Sequence, residues 1–172
     1  MIAGYDIVAA TPSAADYLRL RVAAGLSPKT EEQATKGLPN TWHGVTLVHE
    51  GRAIGMGRII GDGGTAFQIV DIAVEPDHHG KGLGKAIMAA LMQHLSVNAP
   101  AGAYVSLIAD GDARHLYAKY GFEPVMPHSI GMAMLVRGKL IWNVSNPPGI
   151  CRNSAASTRN CGVSAMFRIK SS

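Results

Sequence analysis

Apolar and polar positions fall into blocks with two distinct periods. Tyr5-Asp6-Ile7-Val8-Ala9-Ala10 reads as a short first strand. Ser13, after Thr11-Pro12, is expected to cap a helix carrying Tyr17, Leu18, Leu20, Arg21 and Val22 to about Ala24, with Gly25 ending it. Ser27-Pro28-Lys29-Thr30-Glu31-Glu32 predicts a second helix with Pro28 in its first position, ending near Gly37. Val45–His49, the turn Glu50-Gly51 and Arg52–Ile60 read as a hairpin, and Gly55 and Gly57 point to a bulge or a close approach. Asp62-Gly63-Gly64 turns the chain into the run Phe67–Val74, which is apolar and β-forming with Asp71 inside it.

Pro76 cannot continue a ladder, so that strand stops near Glu75. Leu83, Ile87, Leu91 and Leu95 then recur at intervals of four, beside Met88 and Met92, as one apolar helix face. Ala103–Ala109 is the next strand, and a strand–helix–strand crossover of this length implies parallel pairing. Asp112 is expected to cap a helix ending at Tyr120-Gly121, and Phe122–Val125 with Ser129–Arg137 reads as a closing hairpin. The expected fold class is α/β. It has a mixed, mostly antiparallel sheet of about six or seven strands, a central parallel pair and flanking helices.

The stretch between the central strand and the long helix carries the candidate chemistry. A helix that begins at glycines presents free N–H groups and the positive end of its dipole, so a phosphate can approach closely. A P-loop is excluded, because Gly80 and Gly84 are separated by three residues and Lys85 is followed by Ala86. A dinucleotide fingerprint from Gly80-Lys81-Gly82 fails because its third glycine position holds Lys85. What remains is His79-Gly80-Lys81-Gly82-Leu83-Gly84 after Val74-Glu75-Pro76. It resembles the acetyl-CoA loop of the GNAT superfamily of N-acetyltransferases, with His79 where Gln or Arg is usual. Asp110-Gly111-Asp112-Ala113-Arg114-His115-Leu116-Tyr117-Ala118-Lys119-Tyr120-Gly121-Phe122 resembles a second motif of that family, with Asp110 in place of Asn. The two occur in the family's order, and the resemblance spans roughly residues 5 to 137.

The resemblance implies acetyl transfer from acetyl-CoA to an amine. The N–H groups of Gly80, Lys81, Gly82, Leu83, Gly84 and Lys85 would hold the pyrophosphate, with His79 and Asp110 as further contacts. Pantetheine can pair as an added strand with the backbone of Ile72, Ala73 and Val74, and an N–H there can hold the thioester oxygen. Tyr117 occupies the position of the family's general acid. A phenol of pKa ~10 can exchange a proton with a thiolate whose acid has pKa ~8.5. The alternative for Tyr117 is a core tyrosine beside Leu116 and Tyr120. Asp71 is the candidate base, because a carboxylate in an apolar run needs partners or a raised pKa. Its alternative is a structural carboxylate holding local backbone N–H groups; Glu75 shares its parity. The pair of short helices around Tyr17, Arg21, Leu26, Pro28, Leu38 and Trp42 is where the family builds its acceptor pocket.

Composition removes several classes. The chain has 172 residues, 47% hydrophobic, which suits one domain with a core. Its formal charge of +4 is not spread evenly. Residues 1–137 hold eleven basic and twelve acidic residues, so this domain lacks the basic surface of a nucleic-acid binder. Of the 35 residues from 138 to 172, five are basic, none is acidic and fifteen are Ser, Asn, Gly or Pro, and this segment is expected to form a poorly ordered tail. Cys151 and Cys161 both lie in that tail, so neither a disulfide framework nor a full zinc site is expected, and the histidines lack metal spacing. No run approaches the roughly 20 apolar residues of a membrane span, and no signal peptide is apparent. A cytoplasmic monomer or homodimer is expected. The acceptor would be a small-molecule amine: an arylalkylamine, an amino sugar, a polyamine or an amine antibiotic. A non-catalytic acyl-CoA-binding regulator on the same fold is the alternative.

Overall fold

The computed structural model describes residues 2–136, so the expectation for the 138–172 tail lies outside the described residues. The chain divides into two units, residues 1–124 and 125–172. In the first, β1 (Asp6–Val8), β2 (His43–His49), β3 (Arg52–Gly61), β4 (Ala66–Val74) and β5 (Tyr104–Leu107) form one sheet in sequence order. β1 to β4 are an antiparallel meander, and β5 joins β4 in parallel. This is the expected α/β mixed sheet with its parallel pair, but among the described residues it has five strands rather than six or seven. The closing hairpin is not formed: Phe122–Val125 and Ser129–Val136 carry no strand. Pro124 and Pro127 have no N–H to give to a ladder there.

Helix boundaries follow the capping chemistry. Ser13 accepts from the Asp16 N–H, starting α1 (Ala14–Ala23) as expected, and Gly25 follows it with φ +76°. α2 (Glu31–Gly37) starts later than the proline suggested. Thr30 and Gln33 form a reciprocal capping box, which satisfies two orphan N–H groups and outcompetes Ser27-Pro28 as a start. α3 spans Leu83–Asn98. The last helical stretch is irregular: a 3₁₀ turn at Gly111–Ala113, the single α turn α4 (Arg114–Tyr117) and a 3₁₀ turn at Ala118–Tyr120. Asp112 lies inside the first of these turns and does not cap it.

The sheet's two faces are covered differently. Leu83, Ile87, Met88, Leu91 and Leu95 of α3 pack on Val45, Leu47, Ile59, Phe67 and Ile69. α1 and α2 cover the other face through Tyr17, Leu20 and Ala34 against Met56 and Ala73. Gly57 lies under α3, where an added Cβ would stand 2.5 Å from Ile87 Cγ2 and 3.1 Å from Leu91 Cδ1. Glycine is therefore the only residue that admits α3 so near the strand.

At the same place the β3–β4 register slips between Met56 and Arg58, and Asp71 takes φ +57°. A one-residue bulge reverses the pleat beyond it. Before the bulge Phe67 and Ile69 face α3; after it Ile72 and Val74 do. Asp71, Ala73 and Glu75 consequently turn toward α1.

Candidate active site

β4 and β5 pair only from Ala66↔Tyr104 to Ile69↔Leu107. β4 runs on to Val74 while β5 ends at Leu107, so the strands part. The cleft between them holds about 190 Å³ and is lined by Leu26, Asp71, Ile72, Leu107, Asp110 and Tyr117, among others. The β5-side edge of β4 is open beyond the ladder. Glu75 N–H donates to the Ile54 carbonyl at 2.8 Å, while Val74 stands opposite Gly55. That register makes Gly55–Val74 a non-hydrogen-bonded pair, so the Val74 N–H and C=O point away from β3, to the cleft side. His79 Nε2–H donates to this carbonyl at 2.9 Å. A histidine thus ties the start of the glycine loop to the strand edge.

The loop is open to solvent. Gly80 and Gly82 both have φ +77°, and a Cβ at either would meet nothing within 4 Å. Gly82 is the N-cap of α3 and supplies no capping side chain. Among the described residues, the N–H groups of Lys81 to Lys85 have no backbone or capping acceptor. Unsatisfied donors at the positive end of a sixteen-residue helix suit an anion. Leu83 is buried, so only its backbone can serve. The Lys85 carbonyl accepts from the Tyr120 hydroxyl at 3.0 Å, which fastens the first turn of α3 to the 111–120 stretch.

Sequence reasoning missed the brace behind this loop. Lys81 Nζ donates to the Tyr5 hydroxyl at 2.9 Å, and that hydroxyl is hydrogen-bonded to His78 Nδ1 at 2.9 Å. Tyr5 also stacks on His49, with ring centroids 4.6 Å apart. No local signal marks Tyr5, which lies 76 positions from Lys81.

Tyr117 lines the cleft and packs half-buried against the α3-side core. Burial first, and the negative charge of Asp110 second, push its phenol above the usual tyrosine range. It is therefore a neutral O–H at ordinary pH, able to donate. Asp110 lines the same cleft but is exposed, and among the described residues no donor is bound to its carboxylate.

Asp71 is held by charged side chains rather than by backbone. Arg58 reaches its Oδ2 through Nε at 2.8 Å and Nη2 at 2.6 Å. Arg21 Nη1 donates to Oδ1, and the Tyr17 hydroxyl to Oδ2 at 3.1 Å. All three charged side chains are about nine-tenths buried or more. Burial, then the adjacent Asp71 carboxylate, push the Tyr17 phenol up. Glu75 forms a second such set, accepting from Arg52 at 2.9 and 3.0 Å and from Arg19. The arginines on α1 were visible in the sequence, but their partners were not.

Among the described residues no group of three or more His, Cys, Asp or Glu gathers as a metal would require, and no helix is long and apolar enough to cross a membrane.

The profile of the acetyltransferase (GNAT) domain family matches residues 41–124, from before β2 to the end of the second motif. A protein of unknown function from meticillin-resistant Staphylococcus aureus, described as a probable acetyltransferase, is 48% identical. The match covers 77% of this chain and 99% of that one, with a TM-score of 0.74. The chain therefore belongs to the GNAT family, and it is an acyltransferase. The fold also recurs in glucosamine-6-phosphate N-acetyltransferase from Arabidopsis thaliana (20% identity, 77% of this chain and 99% of that one, TM-score 0.57). It recurs again in the ribosomal-protein-S18-alanine N-acetyltransferase from Escherichia coli (20%, 69% and 77%, TM-score 0.58). Those two names describe a sugar phosphate and a protein, so the shared fold does not define an acceptor. No curated protein matches the chain at a significant level.

Proposed function

We propose that this acyltransferase uses acetyl-CoA and moves the acetyl group directly to a primary amine of a small molecule. The observation that carries this reading is the order of groups that leads from the β4–β5 cleft along β4 to the start of α3. A neutral Tyr117 O–H lies at the β4–β5 split, the edge at Val74 continues from it with its N–H toward the cleft and its carbonyl held by His79, and the N–H groups of Lys81 to Lys85 follow. A thin, amide-bearing chain ending in a pyrophosphate meets in that order a proton donor, a strand edge and an anion site.

In this reading Ile72, Ala73 and Val74 pair with pantetheine through their backbone. Gly80 to Lys85 hold the pyrophosphate, with His79 fixing the loop to Val74. An N–H of the same edge stabilises the charge that develops on the thioester oxygen. Tyr117 gives its proton to the departing sulfur. Asp71 anchors Arg21, Arg58 and Tyr17 beneath the acceptor side. A proton on Asp71 would weaken its hold on the buried Arg21 and Arg58, which favours the anchoring role. The proposed acceptor classes are an arylalkylamine, an amino sugar, a polyamine or an amine antibiotic. Nucleic acid and membrane are not among the proposed partners.

The test is an amine-library screen reading CoA release, with mass spectrometry of the product, repeated with Tyr117→Phe. CoA affinity should change little in the variant. Single-turnover transfer should fall by roughly 10² to 10⁴, the usual contribution of one positioned acid. The fall should shrink with an acetyl donor whose thiol is more acidic. Equal loss with both donors would indicate a packing defect instead.

A further inference from the structure

We propose that Asp110 is the proton acceptor for the attacking amine and works across the same cleft as Tyr117. This rests on the N-acetyltransferase reading above. An amine that attacks a carbonyl becomes positively charged and must lose a proton before the amide is complete. Two carboxylates line the cleft, Asp71 and Asp110. Asp71 could take a proton only by giving up part of its hold on Arg21 and Arg58, which are buried and would be left under-paired. Asp110 has no such partners among the described residues and is open to solvent, so the proton can leave again.

Its position suits the task. Asp110 directly precedes the helical stretch that carries Tyr117, seven residues on, and both residues line one cleft. The second motif of the sequence differs from the family pattern at this point, with Asp in place of Asn. A neutral amide could not take a proton from an ammonium group; a carboxylate can.

The two groups are also linked electrostatically. Asp110's negative charge is one cause, after burial, of the raised Tyr117 phenol. When Asp110 takes the amine proton that charge is neutralised, and Tyr117 gives up its own proton more readily. The steps balance. The amine nitrogen's electron pair forms the C–N bond to the acetyl carbon. The proton on nitrogen passes to Asp110, the C–S bond breaks with its electron pair going to sulfur, and sulfur takes the Tyr117 proton. Water then carries the proton from Asp110 and returns one to Tyr117.

The experiment compares the wild-type chain with Asp110→Asn. The amine is the one returned by the screen, run against its less basic β-fluorinated analogue, with acetyl-CoA as donor. Single-turnover transfer to the basic amine should fall by roughly 10² to 10⁴. The loss should be smaller for the fluorinated amine, whose nitrogen sheds its proton to water more easily. Calorimetry should find CoA affinity within a few-fold of wild type. Independently of turnover, the ¹³Cζ resonance of labelled Tyr117 should titrate at lower pH in Asp110→Asn. Weakened CoA binding with equal losses for both amines would overturn the proposal and make Asp110 a cofactor contact. Wild-type rates in Asp110→Asn would also overturn it, leaving the acetyltransferase reading intact. A wild-type chain inert toward every amine would overturn that reading, and this proposal with it.

Discussion

The two faces of the sheet are held by different physics. Toward α3 the contact is apolar, and Ile87, Met88 and Leu91 are fully buried against Leu47 and Ile59. Toward α1 the contact includes Arg21, Arg58 and Glu75, all more than nine-tenths buried, together with Asp71. The apolar face needs only shape and area, so any well-packed hydrophobic set would serve. Buried ion pairs work differently, because their attraction roughly offsets the cost of desolvation and single losses leave a charge stranded. What the ionic face adds is direction. Asp71 of β4 and Glu75 just after it each accept from one arginine of α1 and from one of β3, which locks α1 over the bulge beside the cleft. The proposed chemistry lies where that locked face meets the open strand edge.

The comparison can be broken most severely at Asp71. Asp71→Ala strands two buried guanidiniums and should cost about 3–5 kcal/mol in urea unfolding. Adding Arg21→Met and Arg58→Met should recover much of that loss; no recovery would mean that the ionic face contributes net stability. On the apolar face, Gly57→Ala forces a methyl against Ile87 and Leu91 and should cost about 1–3 kcal/mol. A neutral result would show that α3 can lift off the sheet without penalty.

A milder change spares both faces. Gly82→Asp places a side chain at φ +77° in open space, at a conformational cost of about 1–2 kcal/mol. CoA binding should nevertheless be lost in calorimetry, and unchanged affinity in the folded variant would displace the anion site from this loop.

The smallest effect concerns pH. Burial first, and the neighbouring His94 second, hold the His43 imidazole below the ordinary histidine range. The two rings are stacked 3.6 Å apart. A depressed folded pKa means that the unfolded chain binds the proton first. This contribution is complete above the unfolded value of 6.5 and is lost as pH falls through the lower folded value. Melting temperature should therefore slip slightly on acidifying below that point, and His43→Gln should remove that part of the slip. Asp16, whose carboxyl is held below its ordinary range by Arg19 and then Ser13, acts only at more acid pH and should not interfere. An identical pH profile in His43→Gln would exclude the histidine stack as its source.

Some features were legible in the chain itself because they are local. The Ser13 cap, the Glu50-Gly51 turn, the end of β4 before Pro76, the apolar stripe of α3 and the glycine loop each depend on residues within a turn or two of one another. Their dihedral and capping preferences act without tertiary help. The capping box at Thr30 was equally local; the Ser-Pro pair upstream of it drew the helix start too early.

Other features were decided only by packing. That Asp71 and Glu75 share a parity can be read from the strand, but which face they take depends on a bulge set by the pairing of β3 with β4 and by α3 pressing on Gly57. The partners of Asp71 lie 13, 50 and 54 positions away, and Tyr5 reaches the glycine loop across 73 to 76. Local preference carries no information over such distances. The residue types capable of acid, base and anion chemistry were present in the sequence. Which carboxylate is locked between arginines, and which stands free beside Tyr117, followed from the folded arrangement, because burial and partner charges are properties of neighbours in space.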